Sequence, residues 1–260
     1  MYTIAHSHST DGGFGLIDIL FKIVSKDTRK IADFFFGCSL KAGENRYGYG
    51  VAHSERFFIV PNAIDVKQYI YSPERQIRLK KKWGFEDKLV IGHVGRFSKE
   101  KNHKFIIEIF CRVLQQKPNA HLVLVGEGSE RAKIEQFIKR CGMSNHVTLT
   151  GVRNDVCDMM NLFDLFLFPS FYEGLGIALI EAQASGLPCV ASDTIPDEVI
   201  MTKNVRRISI RESAKFWADE VLSFVKLFKR KDESDSIVIA NYDIATAAEW
   251  LCEFYSIHSK

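Results

Sequence analysis

The chain has 260 residues, 46% of them apolar and 26% charged, and 35 basic against 32 acidic residues leave a formal net charge of +3. That balance excludes disorder and fibrous repeats and suits one large domain or two modest ones. Near-cancelled charge also excludes a nucleic-acid binder unless basic residues gather in one place, and only "RQIRLKKKW", Arg75 to Trp83, gathers them. A charge run beside an apolar stripe reads first as a solvated helix face, with peripheral contact to an anionic membrane surface as the lesser alternative.

Short apolar runs alternate along the chain with longer amphipathic ones. The strand candidates, in order, are "YTIAH", "DFFFGCS", "RFFIVPN", "LVIGHVG", "AHLVLVGEG", "HVTLTG", "LFLFPS", "PCVASD" and "RRISI". Helix-period segments follow nearly every strand between Gly95 and Ile210, among them Lys104 to Gln116, Glu130 to Arg140 and Ile177 to Ser185. Alternation of this kind predicts an α/β fold with a doubly wound parallel sheet, and runs such as "LVLV" and "LFLF" fit strands buried on both faces. The turn-rich, charged stretch between Asn62 and Lys88 marks a boundary, and "KDESDS" after Arg230 marks another. The expected division is residues 1–70, an α/β domain over 71–235, and a last amphipathic helix in 236–260 that packs back toward the N-terminal part.

The six cysteines, at 38, 111, 141, 157, 189 and 252, include no CxxC pair, so the expectation is reduced thiols in a cytoplasmic protein. No apolar run reaches the roughly 18 residues of a membrane span. His6 and His8 in "IAHSHST" share a strand face, but no second histidine or carboxylate cluster completes a metal site, and none is expected.

In a doubly wound sheet, ligands bind beyond the carboxyl ends of the strands, so four strand-to-helix loops carry the chemical reading. "HVGRFSKEKNH" places Gly95, Arg96 and Lys101 ahead of a helix start, a combination that suits a diphosphate. "LVGEGSE" contributes Gly126 and Gly128, a weak GxG signal read as packing plus backbone access. "TGVRNDV" sets Val152 to Asp155 where a ligand's aromatic base could lie. In "PSFYEGLGIALIEAQASG", Glu173 falls on the ligand side of a turn and Glu181 one turn inside the helix. A carboxylate at the first position could accept hydrogen bonds from sugar hydroxyls, and one at the second could reach a ribose diol.

Assembled in this order, these segments, together with "CSLKAG" and "IVPNAID", resemble the retaining GT-B glycosyltransferases of family 4, the group 1 transferases of bacterial exopolysaccharide and capsule synthesis. Glu173 and Glu181 match that family's E-x7-E motif. The resemblance implies that Arg96 and Lys101 bind the donor diphosphate and stabilise the leaving group, and that Glu173 holds the donor sugar beside the backbone of Gly174 and Leu175. It also implies that Glu181 contacts the ribose, that Val152 and Arg153 flank the base, and that His6, ahead of His8, approaches the sugar. Implied too are a nucleotide diphosphate sugar, most simply a UDP-sugar, as donor substrate with no separate cofactor, a glycan or lipid-linked saccharide as acceptor, no nucleic acid partner, and a cytoplasmic location, optionally peripheral at the inner membrane face. Two departures stand out. The chain begins near the fifth strand of the family's first domain, which makes a catalytically incomplete nucleotide-sugar-binding fragment the alternative. Gly176 occupies a position where relatives often carry proline.

Overall fold

The computed structural model describes residues 2–7 and 28–258. All nine expected strands form, β1 (Ile4–Ser7), β2 (Phe34–Gly37), β3 (Phe57–Ile59), β4 (Leu89–Val94), β5 (Ala120–Val125), β6 (Val147–Gly151), β7 (Leu165–Phe168), β8 (Cys189–Ser192) and β9 (Val205–Ile208). Among the described residues the helices are α1 (Thr28–Ile31), α2 (Leu40–Tyr47), α3 (Tyr49–Ala52), α4 (Val66–Tyr69), α5 (Pro73–Trp83), α6 (His103–Gln116), α7 (Arg131–Arg140), α8 (Val156–Leu162), α9 (Ile177–Ala184), α10 (Ala214–Leu227), α11 (Ser234–Ile239) and α12 (Ile244–His258).

The chain divides into two compact units, residues 1–65 with 241–260, and residues 66–240. The divisions thus fall after Asp65 and Ala240 rather than at 70 and 235, because α4 and α11 pack against α9 of the larger unit.

In the smaller unit, three parallel strands lie in the order β1-β2-β3, with Phe36 level with His6 and Phe58. Its interior is largely aromatic. Phe36 meets Phe254 at 5.1 Å and Trp250 at 5.7 Å between ring centroids, so α12 covers the phenylalanine face of β2 and β3.

The larger unit holds a six-stranded parallel sheet in the order β6-β5-β4-β7-β8-β9. Every residue of β5 and of β7 is buried, which is why these strands read as continuous apolar runs. Ile106, Ile109 and Phe110 of α6 and Trp217 and Val221 of α10 pack with Leu122, Leu124, Leu165 and Leu167 into one core. Removing this much apolar surface from water is the main stabilising term of the unit. Arg75, Gln76, Leu79 and Lys80 of α5 face inward, and Lys80 Nζ lies 2.7 Å from Asp164, whereas Arg78, Lys81 and Lys82 are exposed as a solvated face.

Strand order fixes where a ligand site can form. The chain runs outward from β4 through β5 to β6, then returns to β7 on the other side of β4. The loops after β4 and β7 therefore diverge to opposite faces and leave a crevice at the carboxyl ends of these two strands.

Candidate functional site

The loop after β4 carries Gly95, Arg96 and a 3₁₀ turn, Lys99–Lys101, that leads into α6. It is laced to its neighbour by backbone bonds. Gly95 N–H donates to Val125 O (3.0 Å), Phe97 N–H to Glu127 O (2.8 Å), and Glu130 N–H to Phe97 O (3.0 Å). Gly126, at φ +138°, lies so close to Gly95 that a Cβ would fall on the Gly95 carbonyl oxygen. Both facts require glycine there, so Gly126 serves packing between the loops, and Gly128 approaches the Phe97 backbone similarly.

The loop after β7 is tied to the same segment. Phe171 N–H donates to Glu100 O (2.8 Å), and Asn102 Nδ2 donates to Pro169 O (3.2 Å). Ser192 Oγ and Thr194 Oγ1 both donate to Ser170 O, at 2.6 and 2.9 Å. Held this way, Glu173 meets Lys101: Nζ donates to both carboxylate oxygens, at 2.7 and 2.6 Å. The pair is well sheltered, with the Glu173 side chain 6% exposed and that of Lys101 18%. Lys101 Nζ also lies 5.6 Å from the centroid of the Phe168 ring. Leu175 is buried beneath this turn, and Arg96 stands exposed at the rim.

The turn ends in Gly176 at φ +81°, the residue that precedes α9. Proline is fixed near φ −65° and could not follow this path, so glycine here is required by the turn and is not a loosened proline. One turn into α9, Glu181 accepts a hydrogen bond of 2.6 Å from the Tyr69 hydroxyl of α4. Burial raises the Glu181 carboxyl above the ordinary glutamate range, and the Tyr69 bond opposes that rise.

After β6, Arg153 Nε and Nη2 make a bidentate pair with Asp155 at 2.7 and 2.6 Å, with the guanidinium 5.4 Å from the Trp83 ring centroid. Val152 beside it is 74% exposed. Beneath the β4 loop, His93 is fully buried, its ring stacked on Phe166 and Phe168. A carbonyl can only accept, so the 2.9 Å contact to Leu167 O assigns the proton to Nδ1 and leaves Nε2 as a lone pair. Burial, first, and then the neighbouring His103 hold His93 well below the ordinary histidine pKa.

The family model for "Glycosyl transferases group 1" matches residues 75–235, more than half of the chain. EpsF of Bacillus subtilis (strain 168), a protein named as a glycosyltransferase, is 31% identical over 268 residues, which span 99% of this chain and 69% of EpsF. The chain belongs to the group 1 glycosyl transferases. The N-acetyl-alpha-D-glucosaminyl L-malate synthase of Bacillus anthracis is 31% identical over 134 residues, 51% of this chain and 34% of that protein. Among solved structures, Anabaena HepE in complex with UDP and glucose superposes with a TM-score of 0.77 at 21% identity, over 96% of this chain and 71% of HepE. That likeness shows the GT-B type of fold.

Of the residues expected to form the group 1 site, the fold brings Lys101 and Glu173 into contact and sets Arg96, Gly95, Gly126 and Gly174 on the loops around them. Glu181 pairs instead with Tyr69, and Arg153 with Asp155. His6 is exposed on β1 of the smaller unit, edge-on to Phe36 at 5.5 Å, and His8 lies outside the described residues. Among the described residues no cluster of three metal-ligating side chains occurs, and no helix is long and apolar enough to cross a membrane. Tyr69 and His93 escaped the sequence reading. Tyr69 lies 112 residues from its partner Glu181, and no local spacing announces such a contact.

Proposed function

We propose that the larger unit binds a nucleotide diphosphate sugar, most simply a UDP-sugar, and that the protein transfers its hexose or N-acetylhexosamine to a glycan or lipid-linked saccharide acceptor with retention. Synthesis of an exopolysaccharide, capsule or lipopolysaccharide is the setting that suits this reaction. The observation that carries the reading is the sheltered Lys101–Glu173 pair at the carboxyl ends of β4 and β7, a cation and a carboxylate at the position where open α/β sheets generally bind ligands. HepE, of the same fold, binds UDP and UDP-glucose, which supports the choice of nucleotide.

In this reading Arg96 and Lys101 take the diphosphate and offset the negative charge that grows on the leaving group, so no metal is needed. Glu173 accepts from hydroxyls of the donor sugar, with the backbone of Gly174 alongside. Glu181, already an acceptor for Tyr69, takes a ribose hydroxyl, and exposed Val152 offers an apolar face to the base. Contact with a membrane surface, if the acceptor is lipid-linked, would use exposed cations such as Arg78, Lys81 and Lys82.

Isothermal titration with UDP, UDP-glucose and UDP-N-acetylglucosamine tests the reading. Saturable binding that Glu181→Ala abolishes is the expected result. No binding by folded protein to these or to guanosine- and adenosine-based donors would overturn it.

A further inference from the structure

Lys101 and Glu173 are assigned by the proposed function to different parts of the donor, one to the diphosphate and the other to the sugar. In the structure they are each other's counter-ion. Nζ sits within 2.7 Å of both carboxylate oxygens, and the Glu173 side chain is almost completely removed from water. The loops that carry them are cross-tied through Phe171–Glu100 and Asn102–Pro169, which keeps the two side chains within reach of each other and of one ligand.

This geometry penalises an incomplete ligand. Separating a sheltered ion pair is costly when one partner is left bare. A nucleoside diphosphate without its sugar would draw Lys101 toward phosphate and leave a sheltered carboxylate unpaired beside a second anion. A nucleotide diphosphate sugar brings phosphate for Lys101 and hydroxyl donors for Glu173 together, so both charges exchange one partner for another.

We propose, on the basis of the donor site assigned above, that Glu173 is the residue that makes this site prefer the intact sugar-bearing donor over the spent nucleoside diphosphate. It acts by competing for Lys101 whenever no sugar is present. The same competition speeds departure of the nucleotide product after transfer, because the re-formed ion pair displaces phosphate from Lys101.

The test is titration of the full chain with paired probes, UDP against UDP-glucose, GDP against GDP-mannose and ADP against ADP-glucose, for the natural protein, Glu173→Gln and Glu173→Asp. Glutamine keeps the hydrogen-bonding shape and removes the charge, and is expected to tighten the sugarless nucleotide about 10-fold while weakening the nucleotide sugar, so that the preference collapses. Aspartate keeps the charge on a shorter arm and should retain most of the preference, which separates charge competition from a general packing role. Equal weakening of both probes by glutamine, or an unchanged ratio, would overturn this inference and leave the donor site standing. Absence of binding to every pair by the folded natural protein would overturn the donor site and the inference together.

Discussion

The two units stabilise themselves differently. The smaller is held by rings contributed from distant parts of the chain, Phe34, Phe36 and Phe58 against Trp250 and Phe254, and its three strands have little aliphatic interior of their own. The larger has an extensive aliphatic core, and the charged groups Lys101, Glu173, Glu181 and Arg230 lie outside it, partly buried, in the connecting loops and on α9. In the larger unit, therefore, stability and ligand chemistry are carried by different residues, so the loops can be altered without dissolving the sheet. In the smaller unit a single ring both fills the core and ties the last helix to the strands.

The largest effect that would sharpen this contrast is Phe254→Ala. Loss of a buried ring in contact with Phe34, Phe36, Phe58 and Trp250 should cost about 4 kcal/mol, and calorimetry should show the smaller unit melting early while the larger is unaffected. Joint melting at a reduced temperature would break the distinction.

Arg230 sets the limit of tolerance in the larger unit. Its guanidinium is buried, donates to the carbonyls of Ser185, Phe163 and Met160 at 2.9 Å each, and lies 4.0 Å from the Tyr71 ring centroid. Burial lowers its pKa to about 10, so it remains charged at neutral pH. Arg230→Met leaves carbonyls at the ends of α8 and α9 without donors and should cost about 3 kcal/mol by denaturant titration. Because α9 carries Glu181, nucleotide binding should weaken in parallel.

Lys101→Ala leaves the sheltered Glu173 carboxylate without its counter-ion, so it should cost the larger unit about 2 kcal/mol and also reduce transfer about 100-fold, the usual consequence of removing one charged contact to a leaving group. Steady-state assays with a saccharide acceptor, beside a melting curve, would separate the two effects.

The smallest effect concerns Glu181. Burial raises its pKa in the folded state, so the folded chain binds more protons than the unfolded one from the ordinary glutamate range upward, and stability falls as pH rises through that window. Glu181→Gln should remove this slope and stabilise the larger unit by about 1 kcal/mol while weakening nucleotide binding. His103 and His121, both lowered to about 4 chiefly by burial, act with the opposite sign. The unfolded chain takes up their protons first, so stability present above pH 6.5 is lost as pH falls toward 4. Acid melting followed by tryptophan emission, dominated in this unit by Trp217 and Trp83, would report that loss.

Much of the fold was legible because parallel strands buried on both faces leave runs such as "LVLV" and "LFLF" that no exposed segment would carry. The loops were legible because glycine and charge cluster where strands end. What escaped depended on contacts distant in the sequence. Tyr69 reaches Glu181 across 112 residues, Arg230 caps α9 and α8 from 45 and 70 residues away, and the lone pair of His93 is set by the carbonyl of Leu167 on a neighbouring strand. Gly176 shows a further limit, since a one-letter departure from a family pattern does not disclose a left-handed backbone. The unit boundaries shifted because short helices α4 and α11 join whichever core offers them apolar surface, a choice their composition does not encode.

The central claim is that the β4/β7 crevice receives the donor through Lys101 and Glu173. A crystal structure of the chain soaked with UDP-glucose tests it most directly. The expected result is diphosphate within hydrogen-bonding reach of Lys101 Nζ, with Glu173 turned onto the sugar and the ion pair between them opened. A nucleotide bound elsewhere, with the Lys101–Glu173 pair intact, would contradict it.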